Sequence, residues 1–96
     1  MAIKTECEIC GSTRWLEVHH VFNGPYRKKS EKYDAVAVLC HHCHNEPPNG
    51  LHHNARRMQM FKAMHQMRIM NEYAMTERDF IEEFGKSYLK EYKANE

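Results

Sequence analysis

The chain has 96 residues, of which 42% are hydrophobic and 28% charged, and its formal net charge is +1. This composition is too apolar for a disordered chain, and it predicts a single small domain over residues 1–96. No apolar run approaches the roughly 20 residues that span a bilayer, and the N-terminal sequence MAIKTECEIC lacks the apolar stretch of a signal peptide. We therefore expect a cytoplasmic protein without a membrane partner.

All four cysteines lie in C-x-x-C pairs, Cys7 with Cys10 and Cys40 with Cys43. Each of these knuckles offers two thiolates at a fixed spacing, and two knuckles together match the tetrahedral coordination of Zn²⁺. Disulfides are the alternative, but adjacent C-x-x-C disulfides are chiefly redox devices in a βαβ context that this sequence lacks. We predict a structural zinc site, whose binding energy would stabilise a fold with a small core.

Two short strands are predicted between the two knuckles. Residues 15–22 are rich in β-branched and aromatic side chains, and residues 35–39 form a second apolar segment. The sequence Asn-Gly-Pro at 23–25 ends the first strand, and the basic stretch over 26–32 is expected to be a loop. The second knuckle, over 41–45, is expected to open a helical turn.

Methionines recur three and four residues apart between about residue 54 and residue 73, and this spacing predicts a helix. We expect these side chains to fill an irregular core, because Met adapts to uneven gaps. An exposed row along Met64, Met67 and Met70 would instead indicate a partner surface. The five methionines are Met58, Met60, Met64, Met67 and Met70.

A second C-terminal helix is predicted over about 77–84. Thr76 is a typical N-cap and Asp79 its acidic partner, while Gly85 is the expected C-terminal stop. The C-terminal part, about 54–96, is therefore expected to be helical.

Several of the eight histidines lie around the second knuckle or on the first strand. His19 and His20 are adjacent on that strand, where side chains alternate, so one ring can bind a metal while the other faces a substrate. His44 follows the last thiolate directly. His52 and His53 come after a Pro-Asn-Gly turn that could return them toward His44. We predict a second site built from these histidines.

The segments LEVHHVF and VLCHHCHN resemble the pattern of HNH endonucleases, which have the ββα-metal or His-Me finger fold. The longer stretch HHVFNGPYRKKSEKY…LCHHCHNEPPNGLHHN is similar to small phage and prophage nucleases of the RecA-dependent (recombination-enhancement) type. The resemblance implies an α+β fold: a ββα-metal core over about 7–54, braced by the structural zinc site, with additional C-terminal helices. It also implies an intracellular protein encoded by a phage or prophage.

The resemblance gives a role to four of the histidines. His19 would bind the catalytic divalent metal, His20 would be the general base that deprotonates the attacking water, and His44 would be the other metal ligand. His52, rather than His53, would complete the coordination shell. A His-rich site tolerates Mg²⁺, Mn²⁺, Ni²⁺ or Zn²⁺, so the ligands do not identify the ion.

The implied activity is metal-dependent hydrolysis of DNA phosphodiester bonds, by nicking or weakly specific cutting. A recombination protein such as RecA is a candidate partner. The alternative function is a zinc-stabilised module that binds nucleic acid or protein and carries a vestigial HNH site, and a redox-sensing zinc protein is a third hypothesis. The basic residues expected to bind DNA phosphates are Arg27, Lys28, Lys29 and Lys32.

One position departs from the HNH pattern. The middle asparagine of the family usually lies five residues before the second knuckle, where this chain has Ala35. We expect either that Asp34 ties the loop after His20 or that another contact holds it.

Overall fold

The structure is a computed structural model that describes residues 4–90 as a two-stranded antiparallel sheet combined with helices, which is a small α+β arrangement. The first helix lies between the two strands, the second follows the second strand directly, and the last two come after the sheet. In chain order the elements are β1 (Leu16–His20), a 3-10 turn (Gly24–Tyr26), α1 (Arg27–Lys32), β2 (Val36–Cys40), α2 (His41–Asn45), a second 3-10 turn (Leu51–His53), α3 (Ala55–Glu72) and α4 (Glu77–Phe84).

The register of the sheet puts the two adjacent histidines of β1 on opposite faces. His19 lies opposite Ala37 and His20 lies opposite Val36, and successive side chains of a strand alternate. His19 and Ala37 are buried, so their face is the one turned toward the helices. Glu17 is two residues from His19 and shares this face. The expectation that the two rings point in opposite directions is confirmed.

The strand β1 is shorter than the segment 15–22 that the sequence predicts. Trp15 has a positive φ of 50° and lies outside the strand. Beyond His20, the backbone N–H of Phe22 donates to Oγ of Ser30 at 2.9 Å, and that hydroxyl donates to the carbonyl of Phe22 at 2.6 Å. The side chain of Ser30 thus replaces a strand partner at Phe22, and the ladder with β2 ends at His20.

The expectation of a loop over 26–32 is wrong, because Arg27–Lys32 form α1. Arg, Lys and Glu favour helix, and Pro25 lies in the first turn of the preceding 3-10 segment, where its fixed φ suits a helical start. Ser30 is fully buried and binds the backbone of Phe22. This tertiary contact holds a helix that is too short to be stable alone.

Helix α3 forms as predicted, with the side chain of Asn54 accepting a hydrogen bond from the backbone N–H of Arg57 at 3.0 Å. The expectation that its methionines fill a core is correct only in part. Met58 and Met70 pack against the core, but Met64 is 58% exposed and Met67 is 45% exposed. The buried stripe of α3 runs instead along Phe61, His65 and Ile69, and the exposed methionines lie off that stripe.

Helix α4 has the predicted ends. The side chain of Thr76 accepts from the backbone N–H of Asp79, and the Asp79 carboxylate accepts from the backbone N–H of Thr76, which forms a capping box. Gly85 ends the helix at a φ of +87°, and a Cβ at this position would collide with the ring of Tyr26. Both the backbone conformation and the close approach of Tyr26 therefore require glycine.

An aromatic core attaches the C-terminal part to the end of β1. The ring centroid of Phe84 lies 4.6 Å from those of Phe22 and Phe80, and the ring of Tyr88 lies 5.6 Å from that of Phe22. Because Phe22 follows His20 by two residues, this core fixes the chain just beyond the paired histidines.

The sequence predicts no membrane-spanning segment and a helical C-terminal part. Within residues 4–90, no helix has both the length and the apolar character needed to cross a membrane. The helical part expected over about 54–96 extends past residue 90, and residues 91–96 lie outside the described part of the chain.

Candidate metal centres

The four cysteines form one compact cluster. Their Sγ atoms all lie within 4.8 Å of one another, and those of Cys10 and Cys40 are 3.6 Å apart. Thiolates bound at about 2.3 Å to a tetrahedral zinc ion are separated by about 3.8 Å. None of the four is in a disulfide. The cluster of Cys7, Cys10, Cys40 and Cys43 could therefore hold a structural metal such as zinc.

The first knuckle is positioned by backbone hydrogen bonds to the sheet. The N–H of Glu8 donates to the carbonyl of Val38 at 2.9 Å, which adds the knuckle to the edge of β2. Burial alone would raise the pKa of the Cys7 thiol, but hydrogen bonds to backbone groups, among them that of Cys40, lower this pKa to about 6. The lowered pKa favours the thiolate of Cys7, the form that binds a metal, whereas burial raises the pKa of the Cys40 and Cys43 thiols.

A second cluster, which we call the three-His cluster, consists of His19, His44 and His52. One ring nitrogen from each lies within 4.8 Å of the others, and Nε2 of His44 is 2.9 Å from Nε2 of His52. The ring centroid of His19 lies 5.0 Å from that of His44 and 5.3 Å from that of His52. The three rings come from β1, α2 and the 3-10 turn at Leu51–His53. Three imidazole nitrogens at this spacing fit a divalent transition metal.

The Nε2 atom of His19 is buried and has no hydrogen-bond partner within residues 4–90. Burial is the main cause that lowers the pKa of His19 to about 4, and the neighbouring charges of His44 and His52 lower it further. The ring is therefore neutral at neutral pH, which is the state in which imidazole binds a metal. A buried polar atom without a partner is rare and commonly has a functional reason. A metal ion would satisfy this nitrogen.

Glu17 orients the second ring of the cluster. Its Oε1 accepts hydrogen bonds from Nδ1 of His44 at 2.8 Å and from Nδ2 of Asn45 at 2.9 Å, and its Oε2 accepts from Nδ1 of His41 at 2.9 Å. The bonds from His41 and His44 lower the pKa of Glu17 to about 2, so its carboxylate is ionised. An ionised carboxylate only accepts, and hence Nδ1 of His44 carries the proton and Nε2 keeps its lone pair for a metal.

Glu17 was not among the site residues predicted from the sequence. The available signal is its position two residues before His19, because alternate residues of a strand share a face. A carboxylate on the same face as a candidate ligand is a candidate for orienting the other ligands.

His20 and His53 lie outside the three-His cluster. Nε2 of His20 is 3.0 Å from Oε1 of Glu31, a residue of α1, and this contact is on the other side of β1 from His19. The structure therefore brings together His19, His44 and His52 as the sequence suggests, but it does not bring the ring of His20 to them.

The loop after His20 is tied by Ser30 and not by Asp34. Oδ1 of Asp34 accepts from Nζ of Lys4 at 2.9 Å, and its backbone carbonyl accepts from Arg68 at 3.0 Å. Asp34 thus binds Lys4 and Arg68, which lie outside the loop after His20. The two hydrogen bonds between Ser30 and the backbone of Phe22 hold the loop instead.

The four basic residues expected to bind DNA phosphates lie together on α1, but they are not equally available. Nζ of Lys29 forms an ion pair with Oε2 of Glu83 at 2.8 Å, and Nζ of Lys32 lies 5.2 Å from the ring centroid of Tyr33. Arg27 and Lys28 are exposed.

Comparisons with known proteins give no relative for this chain: no family model matches it, and neither the curated proteins nor the solved structures include a match. The resemblance to HNH endonucleases therefore rests on the motifs themselves.

Proposed function

We propose that this protein is a metal-dependent HNH endonuclease that hydrolyses DNA phosphodiester bonds. The observation that carries the proposal is the buried Nε2 of His19, which has no hydrogen-bond partner in the described part of the chain and lies within 4.8 Å of ring nitrogens from His44 and His52. The order of the elements supports a ββα-metal core, since β1 supplies His19 and the helix directly after β2 supplies His44.

The arrangement of the three-His cluster suits a substrate that arrives from solvent. His19 is 3% exposed, whereas His52 lies in the exposed part of the second 3-10 turn. The cluster thus has a buried side, which fixes its geometry, and an open side, which a nucleic-acid strand can reach. A divalent cation bound to these nitrogens would supply a Lewis acid for a phosphodiester oxygen.

Within this proposal His20 is the general base. Glu31 accepts a hydrogen bond from Nε2 of His20 at 3.0 Å, so Nδ1 has the free lone pair and is the atom that takes a proton from water. A carboxylate partner holds the ring in this tautomer and stabilises the imidazolium that forms. The buried Ser30 precedes Glu31 and binds the backbone of Phe22, so α1 and the end of β1 are held together.

Plasmid cleavage by the purified protein, with and without added divalent ions, tests the proposal. We expect cleavage that needs a divalent ion and that falls roughly 10²- to 10⁴-fold in His20→Ala, the usual contribution of a general base. His44→Ala is expected to lose cleavage together with the second metal. His53→Ala is the matched control, because this exposed neighbour of His52 lies outside the cluster. Equal cutting by the wild type, His20→Ala and His44→Ala would overturn the assignment.

A zinc-stabilised module that binds nucleic acid or protein is the second candidate. The observation in its favour is the position of His20, whose ring bonds to Glu31 and lies across the strand from the three-His cluster. This function predicts one metal per chain, bound by the cysteines, and no cleavage that a chelator inhibits. Metal analysis of the purified chain separates the two candidates, since the nuclease requires a second metal site that His44→Ala removes.

A further inference from the structure

Two lysines outside the sites described above converge on one aromatic ring. Nζ of Lys62 lies 5.4 Å from the ring centroid of Tyr88, and Nζ of Lys86 lies 4.9 Å from the same centroid. Lys62 belongs to α3, and Lys86 directly follows the stop of α4 at Gly85. One lysine from α3 and one from the segment after α4 therefore lie against the same tyrosine ring, which is only 9% exposed.

Neither lysine has an acidic partner within the described residues 4–90. Lys29, in contrast, is paired with Glu83 at 2.8 Å. Lys62 is half-buried, and both this burial and the nearby charge of Lys86 lower its pKa. Two cations that have no acidic partner among residues 4–90 repel each other, and an anion bound between them would remove this unfavourable interaction.

The lysine pair lies beside the three-His cluster. The ring of Phe61, the residue before Lys62, has its centroid 6.0 Å from that of His19. Lys62 is thus one residue along α3 from a ring that contacts the three-His cluster. On the other side, Tyr88 packs 5.6 Å from Phe22, just beyond the end of β1.

We propose that Lys62 and Lys86 bind a backbone phosphate of the DNA strand next to the phosphodiester that faces the three-His cluster. This inference rests on the proposed nuclease function and adds the element that positions the substrate. Ammonium groups contact phosphate oxygens as point charges and do not read bases. The pair therefore places the strand without selecting a sequence, and the ring of Tyr88 restrains both ammonium groups by cation–π contact.

Binding of a fluorescein-labelled DNA duplex, followed by anisotropy over a series of salt concentrations, tests this inference. The zinc-loaded full chain carries His20→Ala, so that cleavage is strongly reduced while binding is measured. We expect the added pair Lys62→Gln and Lys86→Gln to weaken binding by roughly tenfold, and to reduce the slope of log K against log salt by about one, since the pair binds one phosphate. Arg78→Gln is the control for loss of a charge, because Arg78 is an exposed residue of α4, and it is expected to leave affinity and slope nearly unchanged.

A second variant separates charge from folding. Lys62→Arg with Lys86→Arg keeps both positive charges and is expected to keep the salt slope, while zinc content and thermal melting report whether each variant folds. An unchanged affinity and slope in the folded glutamine variant would overturn the inference, as would a wild-type chain that does not bind DNA. DNA binding through the lysines by a wild-type chain that does not cleave would instead overturn the proposed nuclease and leave the phosphate site standing.

Discussion

Nδ1 of His44 donates a hydrogen bond to Oε1 of Glu17 at 2.8 Å, and this one contact decides which nitrogen of His44 carries the proton. With Nδ1 protonated, Nε2 presents its lone pair 2.9 Å from Nε2 of His52 and on the side of the buried His19 ring. Glu17 comes from the same strand as His19, so β1 supplies both a ring of the cluster and the carboxylate that orients another ring.

We predict that Glu17→Gln weakens metal binding at the three-His cluster by about 10- to 100-fold, the usual effect of losing an outer carboxylate partner. The amide is neutral and no longer holds the proton of His44 on Nδ1 as strongly. Calorimetric titration of the zinc-loaded chain with Mn²⁺ measures the affinity. Glu46→Gln is the matched control, because Glu46 bonds to the exposed His42 at 2.7 Å, outside the cluster. An equal loss of affinity in both variants would contradict the role given to Glu17.

Metal ligands were the part of the site that could be predicted from the sequence. The spacing of the knuckles grouped the four cysteines, and the residues indicated a second site among the histidines. Only the resemblance to HNH endonucleases singled out His19, His44 and His52. Glu17 could not be grouped with them. A glutamate on a half-exposed strand has the pattern of a solvent-facing residue, and its partner His44 lies 27 residues away.

The helix α1 could not be predicted for a similar reason. Arg27–Lys32 has six residues and lacks an apolar stripe, so local periodicity does not indicate a helix. What holds α1 is tertiary: Ser30 is buried against the backbone of Phe22, eight residues earlier. The ends of α4, in contrast, depend on local hydrogen bonds at Thr76 and on the φ of Gly85, and both were predicted correctly.

Ser30→Ala is expected to lower the free energy of unfolding by about 1–3 kcal/mol, because it leaves the buried N–H and carbonyl of Phe22 without their partner. Urea unfolding of the zinc-loaded chain measures the change. Ser12→Ala is the control, since Oγ of Ser12 accepts a single hydrogen bond from the exposed Arg14. A loss in Ser30→Ala no larger than that in the control would show that this hydroxyl does not hold the loop after His20.

We predict that the folded state becomes less stable at alkaline pH because of the hydroxyl of Tyr33. It donates to Oε1 of Glu83 at 2.8 Å, and burial, together with this bond, raises the pKa of Tyr33 to about 12. Its ordinary value is about 10. The folded state therefore keeps the proton longer than the unfolded state, so the stabilisation is complete below pH 10 and is lost as the pH rises through about 12.

In Tyr33→Phe this alkaline loss should be smaller than in the wild type. Unfolding in urea at pH values on both sides of this window measures it, and the tyrosinate absorbance of the folded wild type gives the pKa directly. Tyr73→Phe is the comparison, because Tyr73 is 48% exposed and its charge is the smallest of the causes that raise the pKa of Tyr33. An alkaline loss of the same size in Tyr33→Phe as in the wild type would contradict the prediction.

We predict that replacing His19 stabilises the fold and at the same time abolishes metal binding at the three-His cluster. In a chain that carries only the zinc of the cysteines, Nε2 of His19 is buried without a partner among residues 4–90, and such an atom costs about 1–3 kcal/mol. His19→Leu should therefore raise the free energy of unfolding of the one-zinc chain by about 1–2 kcal/mol while abolishing binding of the second metal. Urea unfolding and metal titration of the same preparation measure the two effects.

His65→Leu is the matched control for His19→Leu. This histidine is also buried, but its Nε2 is 2.7 Å from Oε2 of Glu8, so the change should destabilise the chain. If His19→Leu destabilises the one-zinc chain as much as His65→Leu does, then the nitrogen of His19 has a partner in the folded chain and is not reserved for a metal.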